Sequence, residues 1–210
     1  MDAIVFLGIQ GSGKGTQAKL LADKLGFTHI NIGDLFRKHI KEGSELGKTV
    51  AEIIKNGDLV QDDLVFDLVD ATITGKCKGL IFDGFPRTLA QAEFLLKHYH
   101  VIKVFYLDLS EKEAIRRIKS RLVCKNCGAN FNMDNPQPLV EGICDHCHGE
   151  LFSRPDDHPT AIHKRFTEFF RETYPLKHYF QKQHLLCSIK TDRPIEIILS
   201  DLMHELQHIE

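Results

Sequence analysis

A segment near the N-terminus has the residue types and the spacing that hold phosphate. It follows the apolar run 3–7, precedes a helix-like stretch at 17–25, and reads Gly-Ile-Gln-Gly-Ser-Gly-Lys-Gly-Thr over 8–16. Glycines let such a loop curl with its backbone N–H groups pointing inward, and the helix that follows presents the positive end of its dipole. Lys14 adds a point charge that can reach the outer phosphates. Although an ordinary glycine-rich turn is the alternative, strand, loop and helix in this succession predict a nucleotide-binding site.

The residue after Lys14 narrows the class of nucleotide-binding protein. Gly15 occupies that position and Thr16 follows it, so the hydroxyl that GTPases and many ATPases direct at Mg²⁺ is displaced by one residue. The loop is therefore less typical of a switch or a motor than of other nucleotide-binding proteins.

Cysteines further along the chain have the spacing of metal ligands. Arranged as two CxxC pairs with sixteen residues between them, they are Cys124, Cys127, Cys144 and Cys147. Two such pairs close one tetrahedral zinc site, and a full shell of thiolates leaves no position open for water. The spacing therefore predicts a structural Zn²⁺ ion, with Gly128 relieving the tight turn after the first pair. A redox dithiol and free thiols are the alternatives, and His146 or His148 can replace a sulfur.

Composition and charge exclude several classes of function. The chain has 210 residues, 42% of them hydrophobic and 27% charged, with a formal net charge of −2, so it has no general affinity for polyanions. A zinc ribbon that contacts nucleic acid is disfavoured because acidic residues surround the cysteine pairs. These are Asp134, Glu141, Asp145 and Glu150. No apolar run approaches about 18 residues and no export signal begins the chain, so we expect a cytoplasmic protein that binds neither membrane nor nucleic acid.

Hydrophobic periodicity predicts strands that alternate with helices, and hence a parallel sheet. The predicted strands cover 3–7, 28–31, 79–82, 102–109 and 185–189. The predicted helices cover 17–25, 34–42, 45–56, 62–73, 89–99, 111–121, 159–183 and a terminal stretch from 194. Asp62 and Ser110 are expected to cap their helices. Pro175 is expected to bend or split its helix, and Pro194 to open the last one at its first position.

Residues 122–151, called the cysteine module below, break this alternation. Helical periodicity disappears there, and Gly, Asn, Pro and the paired cysteines take its place. We therefore interpret the segment as an insertion into the α/β pattern.

Six arginines lie at strand ends or at the edges of inserted segments. They are Arg37, Arg87, Arg117, Arg121, Arg154 and Arg165. A transferred phosphoryl group spreads negative charge over several oxygens, and its catalysis consists mainly of in-line positioning and stabilisation by Arg, Lys and Mg²⁺. A single arginine is most often a solvated surface charge, but this group indicates phosphoryl transfer.

Longer motifs connect these features to a known family. They are Gly13-Lys14-Gly15-Thr16-Gln17, Gly33-Asp34-Leu35-Phe36-Arg37, Leu59-Val60, Asp83-Gly84-Phe85-Pro86-Arg87-Thr88 with Gln91, the cysteine module, and Arg154 with Asp156-Asp157. Over nearly its whole length the chain resembles the nucleoside monophosphate kinases, and within them the adenylate kinases of bacterial type with a long zinc-bearing lid. The resemblance implies an α/β fold with a P-loop and a doubly wound five-stranded parallel sheet covered by helices on both faces. It further implies a core domain (1–30, 61–119 and 158–210), an AMP-binding flap (31–60) and a zinc-binding lid (120–157).

The same resemblance implies the reaction ATP + AMP ⇌ 2 ADP in a monomer, with Mg²⁺ held through Asp83 or, less well, through Asp34. No general base is needed because the AMP phosphate is already ionised. The implied catalytic residues are Lys14, Asp83, Arg87, Arg121, Arg154 and Arg165. The implied ATP ligands are Gly11, Ser12, Gly13, Lys14, Gly15, Thr16, Arg117, Arg121 and Ile195. The implied AMP ligands are Ile32, Arg37, Leu59, Val60, Gly84, Arg87, Gln91, Arg154 and Arg165.

Three positions bear on the choice of base. Gln91 stands where the adenylate kinases bind the AMP adenine through a side-chain amide, and Thr88 stands where pyrimidine-specific relatives carry Asn, so AMP is favoured. Ile32 replaces the family's usual Thr and removes one polar contact. The alternatives are another nucleoside monophosphate kinase and a binding module in which nucleotide switches a zinc-ribbon surface.

Overall fold

The computed structural model describes residues 1–73, 75, 77–133 and 137–207, so Asp134 of the acidic group lies outside the described residues. The strands are β1 (Asp2–Leu7), β2 (Thr28–Asn31), β3 (Leu80–Asp83), β4 (His100–Asp108), β5 (Arg121–Cys124), β6 (Asn130–Asn132), β7 (Leu151–Phe152) and β8 (Leu186–Lys190). The α-helices are α1 (Lys14–Leu25), α2 (Ile32–Glu42), α3 (Glu45–Asn56), α4 (Asp62–Thr72), α5 (Leu89–His98), α6 (Glu111–Lys119), α7 (Pro159–Glu168), α8 (Leu176–Lys182) and α9 (Ile195–Gln207). Within these ranges no helix is long and apolar enough to span a membrane.

Five strands form one parallel sheet in the order β2-β3-β1-β4-β8. Alternate residues of β1 belong to different apolar clusters, so helices cover both faces of the sheet. Ala3, Val5 and Leu7 belong to the cluster that includes residues of α4, α5, α6 and α7. Ile4 and Phe6 belong to the cluster that includes residues of α1 and α9. This is the doubly wound α/β fold predicted from the sequence.

The carboxyl ends of β1, β2 and β3 lie side by side. Asp83, the last residue of β3, is in register with Phe6 of β1 and with Asn31, the last residue of β2. Because β1 lies between β3 and β4, the loop that follows it opens where the chain connections diverge to opposite sides of the sheet. Doubly wound sheets bind their ligands at this point. The fold therefore puts the glycine loop, Asn31 and Asp83 at one edge.

Helices α2 and α3 follow β2 and pack against each other. The side chains of Asn31 and Ser44 accept hydrogen bonds from the backbone N–H groups of Asp34 and Gly47, which completes the first turn of each helix. A Cβ at Gly47 would collide with the carbonyl group of His39, so only glycine permits this close crossing. The sequence thus specifies that α2 and α3 form a closely packed pair directly after β2.

The cysteine module has a small antiparallel sheet of its own, in the order β6-β5-β7. The N–H of Gly128 donates to the carbonyl of Cys124 at 3.1 Å, and the N–H of His148 donates to that of Cys144 at 2.9 Å. Gly128 and His148 both have left-handed backbone conformations, with φ of 71° and 57°. The two cysteine pairs therefore form matching turns, and the predicted role of Gly128 is confirmed.

The two predicted helix caps have different outcomes. Ser110 caps α6 as expected, since its Oγ accepts the N–H of Glu113. Asp62 does not cap α4 but is its first residue, and its carboxylate accepts hydrogen bonds from the side chains of Thr88 and Gln91. The prediction for Asp62 was wrong because a partner on another helix competes for the carboxylate.

Several element boundaries also differ from the sequence-based expectation. Helix α6 ends at residue 119, because Arg121 pairs with Asn132 as the first residue of β5. Pro194 lies one residue before α9, and its carbonyl accepts the first helical hydrogen bond at 3.2 Å. The 159–183 helix is split at Pro175 as expected, but a π-helical turn, Phe169–Thr173, precedes the break.

Candidate active site

A cavity of about 1040 Å³, called the central cavity below, lies at the carboxyl edge of the five-stranded sheet. The glycine loop, α2, the loop after β3, the start of β5 and the segment before α9 all contribute to its lining. The lining includes every predicted site residue outside the cysteine cluster: Gly11, Ser12, Gly13, Lys14, Gly15, Thr16, Ile32, Arg37, Leu59, Val60, Asp83, Gly84, Arg87, Gln91, Arg117, Arg121, Arg154, Arg165 and Ile195. Residues that are far apart in the sequence therefore meet in one place.

The glycine loop lies close to the backbone of β4 and of α6. A Cβ at Gly8 would lie 2.6 Å from the carbonyl oxygen of Leu107, and one at Gly11 would lie 2.7 Å from that of Ala114. Gly13 has a φ of 91° and precedes α1. A side chain at any of these positions would either collide with the backbone or strain it. The loop is therefore fixed in the curled form that a phosphate cradle requires.

Lys14, the first residue of α1, turns back onto the loop. Its Nζ donates to the carbonyl oxygens of Gly8 at 2.6 Å and Ile9 at 3.0 Å. Burial lowers the pKa of Lys14 to about 8, Asp83 raises it in part, and nearby arginines lower it further. An anion bound in the loop would favour the charged ammonium and raise its pKa.

Asp83 is buried beside the glycine loop, with 4% of its surface exposed. Its Oδ2 accepts a hydrogen bond from Asn31 Nδ2 at 2.5 Å and lies 3.7 Å from His29 Nε2. Burial raises the pKa of the Asp83 carboxyl, but His29 and Lys14 outweigh it, so the pKa lies below its ordinary value. The carboxylate is therefore ionised at neutral pH and offers the oxygen ligands that Mg²⁺ prefers.

The adjacent carboxylates of Asp156 and Asp157 form ion pairs with arginines from different helices and strands. Asp157 Oδ1 lies 2.6 Å from Nη2 of Arg121 in β5 and 3.2 Å from Nη1 of Arg165 in α7. Asp156 Oδ2 lies 3.0 Å from Arg165 Nη2 and 3.8 Å from Nη1 of Arg37 in α2. All of these ion pairs are at least partly shielded from water. The acidic pair therefore holds the cationic side chains over the cavity.

Arg87 contacts a backbone carbonyl, and Arg154 has a more distant carboxylate partner than Arg121 and Arg165 have. Nε of Arg87 donates to the carbonyl of Gly84 at 2.9 Å, and Nη2 of Arg154 lies 3.7 Å from Asp34 Oδ1. Burial lowers the pKa of each guanidinium to about 10, and repulsion by neighbouring arginines contributes to both shifts. Both groups stay charged at neutral pH, and a bound polyanion would relieve their mutual repulsion.

One wall of the cavity joins the glycine loop to the segment before α9. Nη2 of Arg117 donates to the carbonyl of Thr191 at 2.8 Å, and its Nε donates to Glu113 at 3.0 Å. Nε2 of Gln17 donates to the carbonyl of Ile195 at 2.9 Å. Arg117 and Ile195, both predicted ATP ligands, are thus held in place next to the loop.

Another part of the lining is apolar. Ile32 is buried, and Leu59 and Val60 are half-buried. The amide of Gln91 belongs to the same lining and is 2% exposed. An apolar surface with a well-placed amide suits a nucleobase.

The cysteine cluster lies in the cysteine module. All four Sγ atoms lie within 4.8 Å of one another, with Cys124 and Cys147 at 3.4 Å and Cys127 and Cys144 at 3.6 Å. Tetrahedral zinc, with Zn–S bonds of about 2.3 Å, places its sulfurs about 3.8 Å apart. The donor set and its spacing therefore fit a zinc ion. Among the residues that the structure describes, the ligand cluster consists of cysteines, without a histidine.

Sequence reasoning missed two residues that support the site. Asn31 both caps α2 and donates to Asp83, and a polar residue at the carboxyl end of a parallel strand is a signal that identifies such a position. Thr173 donates its hydroxyl to the carbonyl of Arg87 at 2.9 Å. No sequence signal marks Thr173, because the π-helical turn brings it there.

Comparison with known proteins agrees with this geometry. The sequence profile of the adenylate kinase family matches residues 6–185. The chain is 41% identical over 210 residues to the adenylate kinase of Clostridioides difficile, with 97% of each protein covered. It is 39% identical over 208 residues to that of Thermosipho africanus (96% of this chain and 97% of the relative) and 41% identical over 206 residues to that of Treponema denticola (97% and 99%). The chain belongs to the adenylate kinase family.

Proposed function

We propose that the protein transfers a phosphoryl group reversibly between ATP and AMP, so that ATP + AMP ⇌ 2 ADP. One observation carries the proposal: a single cavity combines a phosphate loop with a second cationic group at Arg37 and Arg87. A protein that binds one nucleotide needs only the first of these. The names of the relatives in other organisms support the same reaction.

On the ATP side, the backbone N–H groups of residues 11–16 hold the phosphate chain. Lys14 exchanges the carbonyl oxygens of Gly8 and Ile9 for the outer phosphates, where its charge follows the moving group. Arg117 and Ile195 form the wall against which the ATP base lies.

On the AMP side, Arg37 and Arg87 bind the phosphate, and Ile32, Leu59 and Val60 pack against the nucleoside. The amide of Gln91 hydrogen-bonds the base. Arg87 donates to the carbonyl of Gly84, and it forms no ion pair with a carboxylate among the residues that the structure describes, so a phosphate meets little competition for its guanidinium.

The AMP phosphate oxygen attacks the terminal phosphorus of ATP directly. Arg121, Arg154 and Arg165 stabilise the charge that spreads over the transferred group, and they give up carboxylate partners to do so. No side chain has to accept a proton, because the attacking oxygen is already ionised. Movement of the 31–60 flap and the 120–157 lid over the cavity excludes water, which would otherwise receive the phosphoryl group.

Two metal ions belong to this proposal. Mg²⁺, held through Asp83, neutralises phosphate charge when it is bound with ATP. Zn²⁺ in the cysteine cluster stabilises the fold of the lid and takes no part in the reaction. The expectations of a monomer and of a cytoplasmic location stay predictions.

A substrate panel tests the proposed reaction. Purified protein with ATP and Mg²⁺ receives AMP, CMP, UMP or GMP, and the nucleoside diphosphates formed are quantified. We expect ADP to form fastest with AMP and the rate without any monophosphate to be negligible. Lys14→Met should lower turnover by at least about 100-fold, since removal of one charge stabiliser typically costs 10²–10³.

Two results would contradict the proposal. Turnover of CMP or UMP above that of AMP would assign the protein to another nucleoside monophosphate kinase specificity. ATP hydrolysis that is independent of any monophosphate, and unchanged in Lys14→Met, would instead favour a nucleotide-binding module.

A further inference from the structure

The side-chain amide of Gln91 is held from two sides in the central cavity. Its Oε1 accepts a hydrogen bond from the backbone N–H of Arg87 at 2.8 Å. Its Nε2 donates to Oδ1 of Asp62 at 2.6 Å. Each end of the amide therefore has one protein partner and retains capacity for one more hydrogen bond.

The chemistry of the two partners permits one orientation of this amide. A backbone N–H can only donate, and a carboxylate can only accept. Rotating the Gln91 amide by half a turn would place Nε2 against the N–H of Arg87 and Oε1 against the carboxylate of Asp62. Both contacts would then be repulsive, so the protein fixes which end of the amide is the donor.

Asp62 is itself fixed by Thr88. The hydroxyl of Thr88 lies 3.1 and 3.0 Å from the two carboxylate oxygens of Asp62. The same hydroxyl accepts the backbone N–H of Gln91 at 3.2 Å, so its single hydrogen is free to point at the carboxylate. Asp62 also lies at the first position of α4, where the helix dipole favours a negative charge.

The fixed order of donor and acceptor has a consequence for purines. Adenine presents an N6 donor beside the N1 acceptor, whereas a 6-oxopurine presents an O6 acceptor beside an N1–H donor. A fixed amide that hydrogen-bonds N6 and N1 of adenine would place its donor against N1–H and its acceptor against O6 of a 6-oxopurine, and both contacts would be repulsive. A freely rotating amide would bind both by turning over.

We propose that Asp62 is a positioning residue that acts through Gln91 to make the monophosphate site accept 6-aminopurines and reject 6-oxopurines. The inference rests on the proposed function, since it concerns the base of the phosphoryl acceptor. Asp62 holds the amide in the adenine-reading orientation, and the backbone of Arg87 supports it from the other side.

The variant Asp62→Asn tests this inference, because Asn can offer either a donor or an acceptor to Gln91. The ratio of kcat/KM for AMP to that for IMP, a 6-oxopurine monophosphate, is measured at saturating ATP. We expect the ratio to fall by about tenfold, the effect of one hydrogen bond, with IMP turnover rising while AMP turnover falls. The KM for ATP should stay unchanged.

Asp63→Asn is the matched control. It removes the same charge from the same helix end, but residue 63 is exposed, so the ratio should stay at the wild-type value. If Asp62→Asn does not fold, Asp62→Ser is measured in its place, because a hydroxyl can also both donate and accept. Binding of AMP and IMP by calorimetry gives the same ratio without catalysis.

Parallel loss of AMP and IMP turnover, with an unchanged ratio, would overturn the inference and leave Asp62 a purely structural role. If the wild-type protein nevertheless converts AMP to ADP, the proposed function is unaffected by that outcome. A wild-type protein that does not phosphorylate AMP would refute both.

Discussion

The central cavity and the cysteine module are organised by opposite means. The cavity lies on a sheet whose two faces are covered by large apolar clusters, and its charged side chains are crowded, with pKa values of Lys14, Arg87 and Arg154 lowered. Among its described residues, the cysteine module has one small apolar cluster, formed by Cys124, Phe131, Cys144 and Leu151. The apolar clusters therefore stabilise the fold enough to tolerate the unfavourable burial of charge in the cavity. The stability of the module depends instead on the metal ion that its sulfurs are proposed to bind.

This contrast separates function from stability within one chain. Removing a cavity cation should lower activity and leave the fold intact, because burial already disfavours the charge. Removing a sulfur should weaken the fold of the module and leave the reacting groups intact. For Arg87→Ala and Cys144→Ser, activity and melting temperature are therefore both measured on the same variant.

Arg87→Ala should give the largest effect on activity. We expect kcat/KM for AMP to fall by at least about 100-fold, as for the loss of other charge stabilisers, while the melting temperature changes little. The matched control is Arg171→Ala, which removes an exposed arginine paired with Glu168 and Glu172 and should leave AMP turnover unchanged. A large drop in melting temperature for Arg87→Ala, with activity retained, would contradict the assignment of Arg87 to function and not to stability.

Cys144→Ser should affect mainly stability. Cys144 is fully buried in the cluster, and a structural metal site contributes directly to folding. We expect one zinc per wild-type chain, and a melting temperature lowered by about 2–4 °C or more in the variant, equivalent to at least about 1 kcal/mol. Activity near room temperature should change far less. Cys187→Ser, outside the cluster, is the control, and the absence of zinc from protein purified without chelator would contradict the account.

Asp157→Asn probes the cations that the acidic pair holds. Breaking a buried ion pair costs about 3–5 kcal/mol, so the nucleotide-free variant should melt at a lower temperature. A bisubstrate mimic should restore most of the difference, because its phosphates replace the carboxylate. Asp67→Asn removes an exposed carboxylate and should show neither effect. Equal stabilisation of wild type and Asp157→Asn by the mimic would contradict this role.

Proton uptake should give the smallest signal. In the protein without nucleotide the pKa of Lys14 is about 8, so Lys14 is about one quarter protonated at pH 8.5. Because a bound phosphate raises this pKa, an ATP analogue that binds at pH 8.5 should take up between about 0.5 and 0.75 proton. Affinity should accordingly fall as the pH rises above 8. Calorimetry in buffers of different ionisation enthalpy measures the uptake. Lys14→Met should abolish it, and a wild-type protein without uptake would assign the low pKa no role in binding.

The sequence was most informative where the backbone itself sets the geometry. The glycine loop, the positions of the parallel strands and the cysteine pairs were predictable because glycine, strand periodicity and CxxC spacing each act within a few residues. Arg121 and Asp62 were assigned to the wrong local structure, since a strand partner and a second helix outweigh local preference. The contact of Thr173 with Arg87 could not be predicted, because it depends on a π-helical turn that has no sequence signature.

The predicted site residues outside the cysteine cluster line the same cavity. Motif positions such as Arg87 and Lys14 are tied to the ends of strands, so their placement follows from the topology. The partners that hold them, Asp157 above all, depend on how distant segments pack. Such pairings are not visible in a single sequence.

The most direct test of the account is a crystal structure with a bisubstrate mimic, in which two adenosines are joined through a chain of phosphates. The account predicts one mimic per chain, with Lys14 Nζ moved from the carbonyl oxygens of Gly8 and Ile9 onto the phosphates, and with Arg87 and Arg121 beside them. A mimic bound while Lys14 still donates to Gly8 and Arg121 still pairs with Asp157 would contradict it.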